Sequence, residues 1–167
     1  MDAAALAEKW REVVESPYLR DLPFKLELNE EGKVEFAMSP ASNRRPHWQF
    51  RIGVLLERAL GGGALVECSI LTRRGVKVAD VAWCSPAFLA QHGYETPYTR
   101  APELCVEVAS PSNTADELAE QALLYLDAGA VEAWVVREDG QVEIFSADGR
   151  RTQSTFGVVV EPLGLDS

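Results

Sequence analysis

The sequence of 167 residues predicts an α/β fold, in which helices flank a central mixed sheet. Two observations predict it. Segments with helical and with strand periodicity follow one another in the order helix, strands, helix, strands, helix, strands. In addition, the strand at 103–109, the helix at 115–127 and the strand at 132–136 form a plausible right-handed βαβ crossover. The length suits one domain with a sizeable core, so we expect residues 1–167 to form a single domain.

Periodic segments also account for the first third of the chain. Apolar residues at helical spacing predict a helix over 2–16, which an aspartate caps. Alternating residues predict strands over 24–28 and 34–38, joined by a turn-rich stretch. A second helix is expected to begin near Pro46, a residue suited to a first helical turn, and the glycines at 61–63 end it.

The remaining segments read as strands around one more helix. A hairpin is expected over 64–84, and residues 85–101 are predicted to form a long loop. The helix at 115–127 starts with the capping box Thr114-x-x-Glu117. Three last strands are predicted at 132–136, 142–145 and 153–160.

The charge of the chain is unevenly distributed. A net charge of −10 argues against nonspecific nucleic-acid binding over the whole surface. Residues 40–100, however, hold eight Lys/Arg and four Asp/Glu, so this segment is +4 and the remainder is −14. Arg44, Arg45 and Arg51 are therefore candidate phosphate-binding residues. Solvated charges on a helix and a hairpin would explain the same excess.

Several classes of protein do not suit this sequence. No apolar run approaches the ~20 residues of a membrane span, and the N-terminus lacks the features of a signal peptide, so we expect a cytoplasmic protein without a membrane partner. The glycines at 61–63 are not a phosphate loop, and no organic cofactor is expected.

Cys68, Cys84 and Cys105 match no zinc pattern and suggest small buried residues. A hydrolase using Cys105 with His47 is an alternative, but nothing indicates the electropositive setting that a thiolate needs.

Two acidic residues belong to apolar strand segments. Asp80 ends one such segment, and Glu107 lies inside another. Buried unpaired carboxylates cost stability, and like charges held close raise each other's pKa values. A divalent metal ion between them would offset both effects, so a metal site is the first hypothesis. The alternative is that each carboxylate pairs with an arginine or with a backbone group.

The neighbours of these two acids carry a resemblance to a known family. The matching strings are Val78–Trp83, Ala101–Ser112, Leu124–Ala130, Val131–Val136 and Val142–Phe145, with Glu27-Leu28, Gly32–Val34, Met38–Pro40 and His47 upstream. Over about residues 22–150 the chain resembles the Uma2 family of endonucleases, within the PD-(D/E)XK nuclease-like superfamily. The order of Asp80 and then Glu-Val-x-Ser-Pro-Ser is its most specific part. The resemblance implies a restriction-endonuclease-like core.

The resemblance also implies a set of roles. Asp80 and Glu107 would hold Mg²⁺ or Mn²⁺, with the backbone carbonyl of Val108 as a further ligand. The metal would lower the pKa of a bound water and neutralise charge on a scissile DNA phosphate. Glu27, as a third acid, and His47, as a phosphate or water contact, are secondary candidates. A homodimer is expected by analogy, because duplex cleavage by such folds usually needs two sites.

One position departs from the family pattern. The superfamily's lysine normally lies two residues after the glutamate, where this chain has Ala109, and Uma2-like sequences often supply it from the next helix, where this chain has Gln121. Glutamine can bond a water but carries no charge. Lys77 is a poor substitute because it points to the opposite strand face from Asp80. Two functions follow: a metal-dependent DNA endonuclease weakened by Gln121, or an inactive nuclease fold that acts as a binding module.

Overall fold

The computed structural model describes residues 1–22, 25–36 and 43–159. Its helices are α1 (Ala3–Glu15), α2 (Arg44–Leu60), α3 (Pro86–His92) and α4 (Ala115–Asp127). Its strands are β1 (Leu26–Leu28), β2 (Val34–Phe36), β3 (Gly63–Thr72), β4 (Gly75–Cys84), β5 (Leu104–Val108), β6 (Glu132–Val136), β7 (Val142–Ser146) and β8 (Gly149–Arg151). This mixture of helices around one mixed sheet confirms the predicted α/β class.

All eight of these strands belong to one sheet. The spatial order is β2-β1-β4-β5-β6-β7-β8, and β3 pairs with β4 outside this path. β5 and β6 are parallel and α4 connects them, as the predicted crossover requires. The other strand pairs described are antiparallel, including the predicted β3–β4 hairpin. The sheet is therefore mixed but mostly antiparallel.

Helices α2 and α4 cover opposite faces of the sheet. Trp48 of α2 packs in a cluster that contains Val106 of β5, whereas Tyr125 of α4 packs in a cluster that contains Cys105. Successive strand residues point to opposite faces, which explains the division. Burial of both apolar faces is the main source of stability. Helix α1 packs on a third cluster formed with β1 and the start of β4.

Two predictions of local structure are wrong. Within the predicted loop at 85–101, residues 86–92 form α3, which Ser85 caps and which is too short to show a helical period. No strand forms over residues 153–159, because the polar groups of Ser154 and Thr155 bond a buried carboxylate instead of a strand. The strands predicted at 24–28 and 34–38 are three residues each, and residues 24, 37, 38 and 160 lie outside the described part.

Candidate active site

Asp80 and Glu107 lie opposite each other on β4 and β5. These strands are antiparallel, and their register pairs run from Trp83 with Leu104 to Val81 with Val106, so Asp80 and Glu107 are the residues that follow the last pair. Residues opposite each other in such a pair project from the same face of the sheet. Asp80 is 1% exposed and Glu107 is 6% exposed. The sheet therefore brings two buried carboxyl groups together.

The Asp80 carboxylate has a backbone donor and two cations as partners. Its Oδ2 accepts a hydrogen bond of 2.7 Å from the backbone N–H of Val108. Its Oδ1 lies 3.4 Å from Lys25 Nζ and also contacts the Arg45 guanidinium. Burial alone would raise the pKa of Asp80, but Lys25 and Arg45 outweigh it and hold that pKa below its usual value. Asp80 is therefore ionised at neutral pH.

The Glu107 carboxyl group has a different environment. Its Oε1 accepts a hydrogen bond of 2.5 Å from the Tyr125 hydroxyl, and its Oε2 lies 3.3 Å from Lys25 Nζ. Burial raises the pKa of Glu107 to about 8, with Lys25 opposing this rise and the Asp80 charge adding to it. Burial also raises the pKa of Tyr125, which keeps its hydroxyl a donor. The two acids thus differ in how readily they ionise.

Lys25 bridges the two acids, a position that was not predicted from the sequence. Its Nζ lies within 3.4 Å of both carboxyl groups, and its side chain is 7% exposed. Burial alone would lower the pKa of Lys25, but Glu107 and Asp80 outweigh it and raise that pKa. One signal was available: Lys25 comes two residues before Glu27, a spacing that places both side chains on one face of an extended segment.

A gap between β1 and β4 admits these side chains to the site. The two strands share one register pair, Leu28 with Val76. Beyond that pair, Glu27 Oε1 accepts a hydrogen bond of 2.9 Å from the backbone N–H of Val78. A side-chain carboxylate thus satisfies a backbone donor that a neighbouring strand would otherwise satisfy. Glu27 is 6% exposed and joins the candidate site as a third acid.

Gln121 joins the site through its neighbours. Its Nε2 donates hydrogen bonds to Glu27 Oε1 at 3.2 Å and to the Tyr125 hydroxyl at 3.1 Å. Through Tyr125 it supports the position of Glu107. Lys77 Nζ lies 3.7 Å from Glu27 Oε2, an ion pair with Glu27 and not with Asp80.

The strand ladder beside Asp80 is interrupted. β3 and β4 stay in register on both sides, but Glu67 and Asp80 between them are not paired. Glu67 has a φ of 58°, a left-handed conformation that costs a non-glycine residue about 1–3 kcal/mol. The Asp80 carbonyl instead accepts a hydrogen bond of 3.3 Å from Gln49 Nε2. Backbone strain of this kind often accompanies functional positions.

The structure brings some of the candidate basic residues to the site and leaves others apart. Arg45 reaches Asp80, and Arg44 lines an adjoining cavity of about 530 Å³ together with Arg137. His47 is exposed on α2, and neither it nor Arg51 lines this cavity or the acidic cleft as far as the structure describes them. The turn that carries Arg45 toward the acids leaves the side chain of His47 exposed, and its contact with a phosphate or a water stays a prediction.

Asp80 and Glu107 line a cleft of about 480 Å³. The carboxyl groups of Asp80 and Glu107, with the backbone carbonyl of Val108, offer oxygen ligands, the type that Mg²⁺ and Mn²⁺ prefer. The residues therefore fit a divalent cation in donor type. Within residues 1–22, 25–36 and 43–159, no group of three or more acidic, histidine or cysteine side chains is arranged to hold a metal. The ammonium of Lys25 lies between the two acids.

A buried cysteine does not provide a competing site. Cys68, Cys84 and Cys105 are all buried and free, as the sequence suggested. Burial raises the pKa of Cys105 well above its usual value, which disfavours the reactive thiolate. Since His47 is also exposed on α2, the pair Cys105 and His47 is not a candidate nucleophile and base.

Together, the mixed sheet and its flanking helices define an α/β protein that carries two buried acids at a cleft. The chain matches the Uma2 family model, described as "Putative restriction endonuclease", over residues 10–165, and it belongs to this family. A crystal structure described as a putative nuclease belonging to DUF820, from Anabaena variabilis ATCC 29413, has the same fold, with a TM-score of 0.60 and 18% identity over 77% of this chain and 73% of that chain. No curated protein matches.

Among the described helices, none has the length and hydropathy to cross a membrane.

Proposed function

We propose that this protein is a metal-dependent endonuclease that hydrolyses DNA phosphodiester bonds in the cleft at Asp80 and Glu107. The observation that supports this most directly is the pair of buried acids on the neighbouring strands β4 and β5, which line a cleft together with Lys25 and Arg45. Membership of the Uma2 family supports nuclease-like chemistry.

The side chains of the site would divide the work as follows. Asp80 and Glu107, with the Val108 carbonyl, would hold Mg²⁺ or Mn²⁺; when bound, the metal lowers the pKa of a water and neutralises phosphate charge. The Val108 N–H and the Tyr125 hydroxyl each fix one carboxyl oxygen, which orients the acids. Arg45 is anchored on Asp80 at the cleft wall, and guanidinium groups bind phosphate oxygens well.

The adjoining cavity suggests where a DNA strand would lie. Arg44, Arg45 and Arg137 line it, and it shares Arg45, Val108, Ser110 and Ser112 with the acidic cleft. In a protein with a net charge of −10, this local group of arginines concentrates attraction for phosphate on one side of the site. We expect the DNA backbone to follow this lining toward the acids.

A second candidate function is that of a nuclease fold that binds DNA without cleaving it. Two observations favour it. The Lys25 ammonium lies between the two acids, where a metal would be expected, and Gln121 leaves the α4 position without a charge. This function requires that no divalent metal supports cleavage.

Nicking of supercoiled plasmid with Mn²⁺ or Mg²⁺ separates the two functions. We expect wild type to nick the plasmid and Asp80→Ala to have lost this activity. Glu132→Gln, which changes a buried acid of β6 outside the cleft, is the matched control and should nick like wild type. Cleavage by Gln121→Lys alone would indicate an intact site without catalytic power and favour the binding function. Absence of cleavage in all variants would contradict the nuclease proposal.

The homodimer expected by analogy is part of this proposal. Cleavage of both strands of a duplex by one protein needs two sites, or two successive events at one site. Light scattering of the protein with and without a short duplex measures the number of copies bound. A complex that contains one copy and still linearises plasmid would contradict the dimer.

A further inference from the structure

We propose that Lys25 is a built-in cation of the acid pair that competes with the divalent metal, so that metal binding displaces its ammonium from Asp80 and Glu107. This inference rests on the proposed function, because it assumes that the same two acids bind the metal. It concerns the one cation that contacts both of them in the described structure.

The oxygen atoms of the two acids are divided between two kinds of partner. Asp80 Oδ2 and Glu107 Oε1 accept hydrogen bonds from the Val108 N–H and the Tyr125 hydroxyl. Asp80 Oδ1 and Glu107 Oε2 face Lys25 Nζ, at 3.4 and 3.3 Å, and Asp80 Oδ1 also contacts the Arg45 guanidinium. A metal ion held by Asp80 and Glu107 would therefore compete with Lys25 for these oxygens, and with Arg45 for that of Asp80. Mg²⁺ binds carboxylate oxygens at about 2.0–2.1 Å, so an ion shared by these two oxygens would lie in the region of the ammonium.

Charge and burial explain why a lysine is held there. When both acids are ionised, they repel each other without a cation, and an ammonium buried without partners is equally unfavourable. The Lys25 side chain, 7% exposed, satisfies both needs in the metal-free protein. A divalent ion would satisfy the acids more strongly, and its charge would then repel the ammonium.

The position of Lys25 in the fold allows it to leave. Lys25 precedes β1, and β1 shares one register pair with β4, so no strand ladder to β4 is described at Lys25 itself. Its four-carbon stem is flexible, and it lines a cleft of about 480 Å³ that is open to solvent. By reciprocity, each cation must then weaken the binding of the other. Metal binding to wild type should therefore be weaker than binding to the same acids without the ammonium.

Calorimetric titration with Mn²⁺ tests the competition directly. Lys25→Met removes the ammonium but keeps a long stem, and we expect its Kd for Mn²⁺ to fall roughly tenfold, which corresponds to about 1.4 kcal/mol. Lys25→Arg keeps the charge and should bind Mn²⁺ as weakly as wild type. Lys77→Met is the matched control, because it removes a nearby cation that contacts Glu27 and not the acid pair, and its Kd should stay at the wild-type value.

Thermal unfolding provides a second measurement if Lys25→Met folds poorly without metal. Mn²⁺ should raise the Tm of Lys25→Met by more than it raises that of wild type, because tighter binding to the folded state stabilises it more. Adding Asp80→Asn to Lys25→Met should abolish this gain.

The outcomes separate the inference from the proposed function. Mn²⁺ binding by Lys25→Met that is equal to or weaker than that of wild type would overturn the competition and leave the metal site intact. A gain in Lys77→Met as large as that in Lys25→Met would also overturn it, because the effect would then be general electrostatics. Absence of Mn²⁺ binding in wild type and every variant would overturn both the inference and the metal-dependent function.

Discussion

The sheet buries acidic side chains in two regions, and it satisfies them in different ways. Glu132 of β6 is 0% exposed and accepts hydrogen bonds from neutral groups: the backbone and hydroxyl of Thr155, the Ser154 hydroxyl and the Trp134 indole. Asp80 and Glu107, by contrast, share a cation and face a cleft. Both regions are buried, but their partners differ in charge and in access to solvent.

This difference indicates what makes a buried acid available for function. The donors around Glu132 come from its own strand and from residues 154–155, so the carboxylate fixes that segment to the sheet. The partners of Asp80 and Glu107 include long cationic side chains at a solvent opening, and we propose that a metal ion displaces one of them, Lys25. Burial alone therefore does not distinguish the two regions, whereas cationic partners beside a cleft do.

The largest expected difference between the two regions is in catalysis. Asp80→Asn should lower plasmid cleavage by about a thousandfold, because the metal contributes several kcal/mol and each 1.36 kcal/mol is tenfold in rate. Glu132→Gln should leave the rate per folded molecule unchanged. Initial rates of nicking, normalised to the folded fraction by circular dichroism, provide the measurement. Equal losses of nicking rate in both variants would contradict the expectation that the cleft, and not the Glu132 region, carries the activity.

The next effect is on stability without metal. Lys25→Met should lower the free energy of unfolding by about 3–5 kcal/mol, because it leaves two buried acids without their shared cation. Urea unfolding in the presence of a chelator measures this loss. Arg74→Met, which removes an exposed ion pair with Glu120, is the control and should cost about 0–1 kcal/mol. A loss as small as that of the control would mean that Arg45 compensates the acids on its own.

A smaller effect is expected at Glu132. Glu132→Gln should lower the free energy of unfolding by about 1–3 kcal/mol, because an amide nitrogen replaces an acceptor among the donors of Thr155, Ser154 and Trp134. Urea unfolding with and without Mn²⁺ should give the same loss, in contrast to Lys25→Met. A loss that Mn²⁺ reverses would show that the Glu132 region also binds metal.

The smallest effect is the pH dependence of the Glu132 region. Burial alone would raise the pKa of Glu132, but hydrogen bonds from Thr155, Trp134 and Ser154 outweigh it and hold that pKa below its usual value. In the unfolded chain, Glu132 has the usual glutamate pKa of about 4.3. Above this pH the ionised carboxylate stabilises the folded protein, and this stabilisation is lost as the pH falls through the lower pKa that Glu132 has in the folded protein. Below about pH 4.3, wild type should lose stability more steeply than Glu132→Gln. Parallel slopes in urea unfolding across this range would contradict the assignment.

The sequence was informative about the acid pair because its signals are local. Period-two alternation in β5 gave the face of Glu107, and the apolar run of β4 indicated that Asp80 is buried. Lys25 could not be placed in this way, since its approach depends on how far β1 and β4 stay paired, which is a tertiary property. The position of His47 near a helix start could be predicted, but the direction in which this turn presents its side chain depends on how α2 packs on the sheet.

The origin of the three charges in distant parts of the chain has a consequence for how the protein folds. Lys25 is separated from Asp80 by 55 residues and from Glu107 by 82, whereas the two acids belong to adjacent antiparallel strands. Contacts between closer segments form at a smaller entropic cost. We therefore expect the two like charges to meet during folding before the ammonium arrives. A divalent cation in the refolding buffer would substitute for the late lysine and speed the assembly of β4 and β5.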